Sequence, residues 1–104
     1  MIDKKILEEA KKLQDQYQNI LIQKETLKLQ KNEIDLTLEE ISKSKEKFGY
    51  KIVGNVMIKK DLEEINRELK KRKEDLEIKI KGLESLEKKI VNRLNEISKQ
   101  IKGG

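Results

Sequence analysis

At 104 residues the chain has room for one domain, but only 35% of it is hydrophobic and 3% aromatic while 43% is charged, which argues against a large globular core. It contains no Cys, His or Pro, so disulfides, thiolate nucleophiles, zinc sites and imidazole acid/base chemistry are excluded, and no proline interrupts a helix. The net charge of +5 is spread among interleaved Lys and Glu, with ten basic and ten acidic side chains in residues 1–47, rather than gathered in the clean basic stripe that nucleic acid requires.

Residues 3–47 are expected to form the first helix. Stepping by seven from Ile6 gives Leu13, Ile20, Leu27, Ile34 and Ile41, an unbroken apolar stripe. The accompanying positions Ala10, Tyr17, Lys24, Lys31, Leu38 and Lys45 are patchier. Asp3 is placed to cap the start, and Lys43, Lys45 and Lys47 before Gly49 read as a helix C-terminus with cations matched to the dipole.

Residues 49–60 read as a β-hairpin, with two β-rich runs, Tyr50-Lys51-Ile52-Val53 and Val56-Met57-Ile58, joined by Gly54-Asn55. Val53, Val56 and Ile58 fall on one surface, and Tyr50, Ile52 and Met57 on the other. One hairpin cannot bury both, so Tyr50 through Ile58, turn included, are expected to be the oligomerisation surface.

A second helix is expected over 61–101, with Asp61 as cap and Glu64 returning the bond in a capping box. Its unbroken stripe is Leu62, Leu69, Leu76, Leu83, Ile90 and Ile97, and the second seam is taken at Ile65, Arg72, Lys79, Leu86, Arg93 and Gln100. The two unbroken stripes mirror each other about a midpoint near residue 52, as an intramolecular antiparallel hairpin requires, with the layer register free to shift by half a heptad. Each arm would be about 60 Å long at the helical rise. Arg72 and Lys79 would then oppose Lys24 and Lys31 in a loosened middle, where the cations must snorkel or pair. The fold class is thus mainly α: an antiparallel two-helix coiled-coil hairpin with a central β-hairpin.

The carboxylates lie beside Lys in helical repeats and read as a solvated ion-pair face, so no catalytic, metal-binding or cofactor residues are expected. The longest apolar run, Ile20 to Ile22, is too short for a membrane span or signal-peptide core, and a cytosolic protein is expected.

The segment GYKIVGNVMIKK from Gly49 to Lys60, followed by DLEEINRELKKRKEDLE, resembles the beta-class prefoldin subunits of archaea and eukaryotes. The resemblance spans the chain, and room for only one hairpin between the arms favours the beta class over the alpha class. It implies a hexamer of two alpha-type and four beta-type chains whose hairpins join in a β-barrel platform. It also implies ATP-independent capture of unfolded proteins at the coiled-coil tips and transfer to a group II chaperonin. On that reading Ile2, Ile6, Leu7, Val91, Leu94, Ile97 and Ile101 form the client-binding tip, with Ile2, Leu7, Val91, Leu94 and Ile101 lying off the seam. A further stripe, Ile22, Leu29 and Leu36, has no role within one hairpin. The alternatives are a coiled-coil spacer, which would need no doubly apolar hairpin, and a basic nucleic-acid binder with steeply salt-dependent affinity.

Overall fold

The computed structural model describes residues 3–103, in the order α1 (Lys4–Lys43), β1 (Phe48–Val53), β2 (Val56–Asp61) and α2 (Leu62–Gly103). These residues fall into two compact units. The hairpin unit runs from Lys28 to Ile78, and the terminal unit joins the residues up to Leu27 with those from Lys79 onward.

In the hairpin unit, α1 ends at Lys43, before the expected 47, because serine hydroxyls compete with the helical ladder. The Ser44 amide donates back to the Ile41 carbonyl at 3.1 Å, a tightened last turn, and the Glu46 amide donates to Ser44 Oγ at 3.1 Å. Gly49 is therefore a strand residue rather than a helix terminator. It pairs with Lys60, and a Cβ there would lie 3.0 Å from the Cδ1 atoms of both Leu62 and Ile65.

The antiparallel register runs from Phe48↔Asp61 to Val53↔Val56 around Gly54-Asn55. Gly54 has φ of 60° and no non-glycine residue has positive φ among the described residues, the pattern of a type II′ turn. The turn centre lies between Gly54 and Asn55 rather than at residue 52.

Asp61 closes β2 and caps α2, accepting from the Glu63 amide at 2.9 Å. Glu64 does not return the bond expected of a capping box; its carboxylate lies 3.9 Å from Lys60 Nζ. The Leu62 amide instead donates to the Lys47 carbonyl at 2.8 Å, tying the start of α2 to the segment before β1. In the terminal unit Asp3 caps α1 as expected, accepting from the Lys5 amide at 2.9 Å.

The buried residues are Ile34 and Leu76 in the hairpin unit and Ile20, Ile80, Ile90 and Ile97 in the terminal unit. All but Ile80 belong to the unbroken stripes, and Ile80 corrects the phase of the second seam of α2. That seam runs four residues after the first, through Asn66, Lys73, Ile80, Glu87 and Leu94, which are buried or half-buried. The expected Arg72, Lys79, Leu86 and Gln100 are exposed instead. Ile65 is half-buried because the hairpin covers it at Gly49.

The rephasing replaces the expected opposition of cations with ion pairs. In the terminal unit Lys24 Nζ donates to Glu87 Oε2 at 2.6 Å, with the lysine side chain only 13% exposed. In the hairpin unit Lys73 Nζ lies 2.6 Å from Asp35 Oδ1, and Lys31 Nζ lies 3.6 Å from Glu77 Oε1. Among the described residues no helix is long and apolar enough to cross a membrane.

Candidate assembly and client-binding surfaces

The hairpin is a two-stranded sheet with no third strand among the described residues, so each strand has an outer edge of backbone donors and acceptors without a sheet partner. The register sorts its side chains into two faces. One carries Val53, Val56 and Ile58 with Lys51, Gly49 and Lys60; the other carries Phe48, Tyr50, Ile52 and Met57 with Lys59 and Asp61.

The first face is anchored at its base to α2. Lys60 Nζ lies 2.9 Å from Glu68 Oε1, and Lys51 Nζ lies 3.4 Å from Glu68 Oε2. The Lys60 hydrogen bond is the chief cause that holds the Glu68 carboxyl below its ordinary value and raises the Lys60 ammonium above its own.

The second face has no comparable anchor. Its one cation, Lys59, folds its ammonium over the Phe48 ring, 4.4 Å from the centroid, leaving the rest of the face apolar. Every large apolar residue of the hairpin is exposed, with Ile52 at 72% and Met57 at 65%. A two-stranded ribbon that leaves both faces and both edges uncovered is marginal alone, and the physical remedy is pairing with further strands. An open groove of about 610 Å³ lies where the helix ends meet the hairpin, lined by Leu38, Ile41, Phe48 and Leu62 together with polar residues that include Glu46 and Lys47.

The terminal unit brings together residues from both ends of the chain. Arg93 clamps Glu9 through Nε at 2.5 Å and Nη2 at 3.1 Å, and also donates to Glu96 at 3.1 Å. This bidentate hydrogen bonding is the main cause that holds the Glu9 carboxyl below its ordinary value.

Around this clamp the residues assigned to the tip separate by burial. Leu7, Val91 and Ile101 are exposed at 48%, 37% and 39%. Ile6 and Leu94 are half-buried, and Ile97 is buried. Leu94 is thus a seam residue, not an off-seam one, because the second seam of α2 passes through it. Ile101 continues that same seam, but its side chain is left exposed near the helix end. A small recess of about 250 Å³ opens there, lined by Ala10, Gln14, Leu94, Ile97 and Ile101 among others. Ile2 lies outside the described residues.

The stripe residues Ile22, Leu29 and Leu36 are all exposed on α1. Ile78, exposed on α2, was not singled out in the sequence because it belongs to no heptad set. Gly82 borders an open groove of about 500 Å³ with Ile22, Leu27 and Leu83 in the terminal unit.

A family model described as prefoldin subunit matches residues 4–103. The chain belongs to the prefoldin family. Its relatives are of the beta class. It is 30% identical over 97 residues to a prefoldin subunit beta of Archaeoglobus fulgidus, covering 92% of this chain and 84% of the relative. It is 35% identical over 89 residues to that of Thermococcus onnurineus, covering 85% and 77%. The crystal structure of the prefoldin beta subunit from Thermococcus strain KS-1 matches with a TM-score of 0.87 and 31% identity, over 94% of this chain and 87% of that one. Membership in the prefoldin family gives the chain a chaperone-type role as a prefoldin subunit. The mainly helical fold with two long helices and a central antiparallel β-hairpin, expected from the heptads, is the one that the beta subunit also has.

Proposed function

We propose that this prefoldin chain is the beta-type component of an ATP-independent holdase: a hexamer of two alpha-type and four beta-type chains, in the cytoplasm, that captures unfolded proteins and passes them to a group II chaperonin. The observation that carries the assembly half is the hairpin, whose exposed apolar side chains occupy both faces of a sheet with unpaired edges. A spacer would need no such surface.

Client capture is assigned to the terminal unit, to the surface built by Leu7, Val91 and Ile101 with Ile6, Leu94 and Ile97 around and beneath it; Ile2, outside the described residues, is assigned with them from the sequence alone. Exposed apolar groups rimmed by charge suit weak, repeated contact with hydrophobic stretches of a non-native chain. The hairpin residues Tyr50, Ile52, Val53, Val56, Met57 and Ile58 are assigned to assembly, with Gly54 and Asn55 shaping the turn between them. No nucleotide, metal or cofactor enters this mechanism.

Native mass of the chain with and without a candidate alpha-type subunit, followed by aggregation suppression of a diluted unfolded protein in the absence of nucleotide, tests both halves. A complex of hexameric mass that suppresses aggregation is the expected result. A monomer under both conditions, or a complex with no protective effect, overturns the reading.

A further inference from the structure

We propose that the charged layers of the seam are the device that selects the axial register of α1 against α2, which the apolar stripes by themselves leave undetermined. Each unbroken stripe repeats every seven residues. Sliding one helix by a heptad therefore lays Ile or Leu against Ile or Leu again, with loss only at the last layer. Packing of the unbroken stripes alone hardly distinguishes these alignments.

The connection to the hairpin restricts a slip but comes within a few ångströms of accommodating it. Ser44–Lys47 carries no helix or strand, and its four residues span about 6 Å when helical and up to about 14 Å when extended. That slack approaches the shift of about 10.5 Å that one heptad represents.

The charges do distinguish them. In the observed register Lys24 faces Glu87, Lys31 faces Glu77, Asp35 faces Lys73 and Glu9 faces Arg93, every pair of opposite sign. Moving α2 by seven residues one way puts Ile80 before Lys24, Lys70 before Lys31, Asn66 before Asp35 and Leu86 before Glu9, so no pair survives and one becomes repulsive. The other direction brings Leu94, Glu84, Ile80 and Gln100 to the same places, and only Lys31 finds a partner. Lys24 is the most discriminating, because both slips press its ammonium against an apolar side chain at a position where it is mostly covered.

The layers thus cost stability relative to leucine and return a single alignment, the best-attested use of polar groups in a coiled-coil seam. In the terminal unit that alignment also decides which apolar residues of α1 and α2 share one surface.

The chain has no cysteine, so paired spin labels at Gln16→Cys and Lys89→Cys, both exposed, report the register in full-length chains diluted into unlabelled ones. The parent should give one narrow distance. A variant with Leu at all six central ion-pair positions (K24L, K31L, D35L, K73L, E77L, E87L) should melt no lower than the parent yet show a second distance population. Should that variant fail to fold, K24E decides, since it sets two carboxylates together: its distribution should broaden, and adding E87K should restore the single distance. One narrow, unshifted distance in the six-leucine variant, or in K24E where that variant does not fold, overturns the proposal.

Discussion

Gly49 and Leu62 are matched in shape: a Cβ on the glycine would come within 3.0 Å of the leucine Cδ1, so β1 lies directly on the first turn of α2. The three glycines at Gly49, Gly54 and Gly82 should answer substitution by alanine in three different ways. At Gly49 the obstructing atoms are the ends of flexible side chains, and the cost should be below about 1 kcal/mol. At Gly54, with φ of 60°, alanine adopts a left-handed conformation at a cost of about 1–2 kcal/mol. At Gly82 nothing lies within 4 Å of the added carbon, and alanine should stabilise the helix by about 1 kcal/mol. Thermal melts of the three variants test the order; a destabilised Gly82→Ala would show that this glycine has a packing role.

The pH profile should be a plateau with two falling arms. Glu9 and Glu68 are held below the ordinary value of 4.5 by hydrogen bonds from Arg93 and Lys60 respectively. Their contribution is present above that value and disappears as pH falls through the lowered folded-state values. Lys24, Lys60 and Lys73 are raised above 10.5, chiefly by hydrogen bonds to Glu87, Glu68 and Asp35. Their contribution is complete below that value and disappears as pH rises through the raised ones. Melting temperature should therefore be level between about pH 5.5 and pH 9.5 and fall on both sides. Apart from the mostly covered Lys24–Glu87 pair, these groups are partly open to solvent, so the arms should be shallow and should weaken further in high salt. Glu9→Gln combined with Glu68→Gln should flatten the acid arm and leave the alkaline one; an unchanged acid arm would place its origin in other carboxylates.

The unbroken stripes were legible because every seventh residue is apolar without exception, and the turn because Gly-Asn between β-rich runs has few other readings. The second seam of α2 was not legible in the same way. Three-residue spacing offers Ile65 and Leu86, four-residue spacing offers Ile80, Leu94 and Ile101, and polar or charged residues occupy the remaining positions in both. Only the pairing of Lys24 with Glu87 and of Lys73 with Asp35 makes the four-residue phase work, and pairing across helices is not a property of one helix. The early end of α1 was missed for a local reason. The lysines that fit a helix C-terminus extend to Lys47, but the Ser44 hydroxyl had already taken the Glu46 amide. At the tip, the apolar character of Leu94 was visible in the sequence, whereas its burial depended on the seam phase.

Replacing Ile52 and Val56 together with Asp should dissociate the oligomer while preserving helix. Ile52 pairs with Met57 and Val56 with Val53, so the two substitutions charge opposite faces of the ribbon. Neither residue is buried within the chain, so an isolated subunit should tolerate both changes. Within an assembly each carboxylate would be buried without a partner, at a cost of several kcal/mol. Native mass spectrometry and far-UV circular dichroism should report smaller species with near-parental helicity. An unchanged mass would show that the subunits associate elsewhere.

The client-binding assignment divides the terminal unit by exposure, and the two classes should behave differently. Leu7, Val91 and Ile101 are substantially exposed, so changing all three to Ser should leave assembly and helicity near those of the parent. Each can contribute roughly 1.5–3 kcal/mol when a partner buries it fully, enough for weak capture that becomes effective over several arms. Ile97, only 2% exposed, is the contrasting position. Ile97→Ala should cost about 2–5 kcal/mol of stability by opening a cavity against the seam. At a temperature where it remains folded, however, it should protect clients better than the triple Ser variant does, because the exposed surface is intact. The readouts are melting temperature, oligomer mass and suppression of aggregation of a diluted unfolded protein. If the triple variant still protects as well as the parent, client contact lies elsewhere, and the exposed Ile22, Leu29 and Leu36 on α1 become the surface to test next.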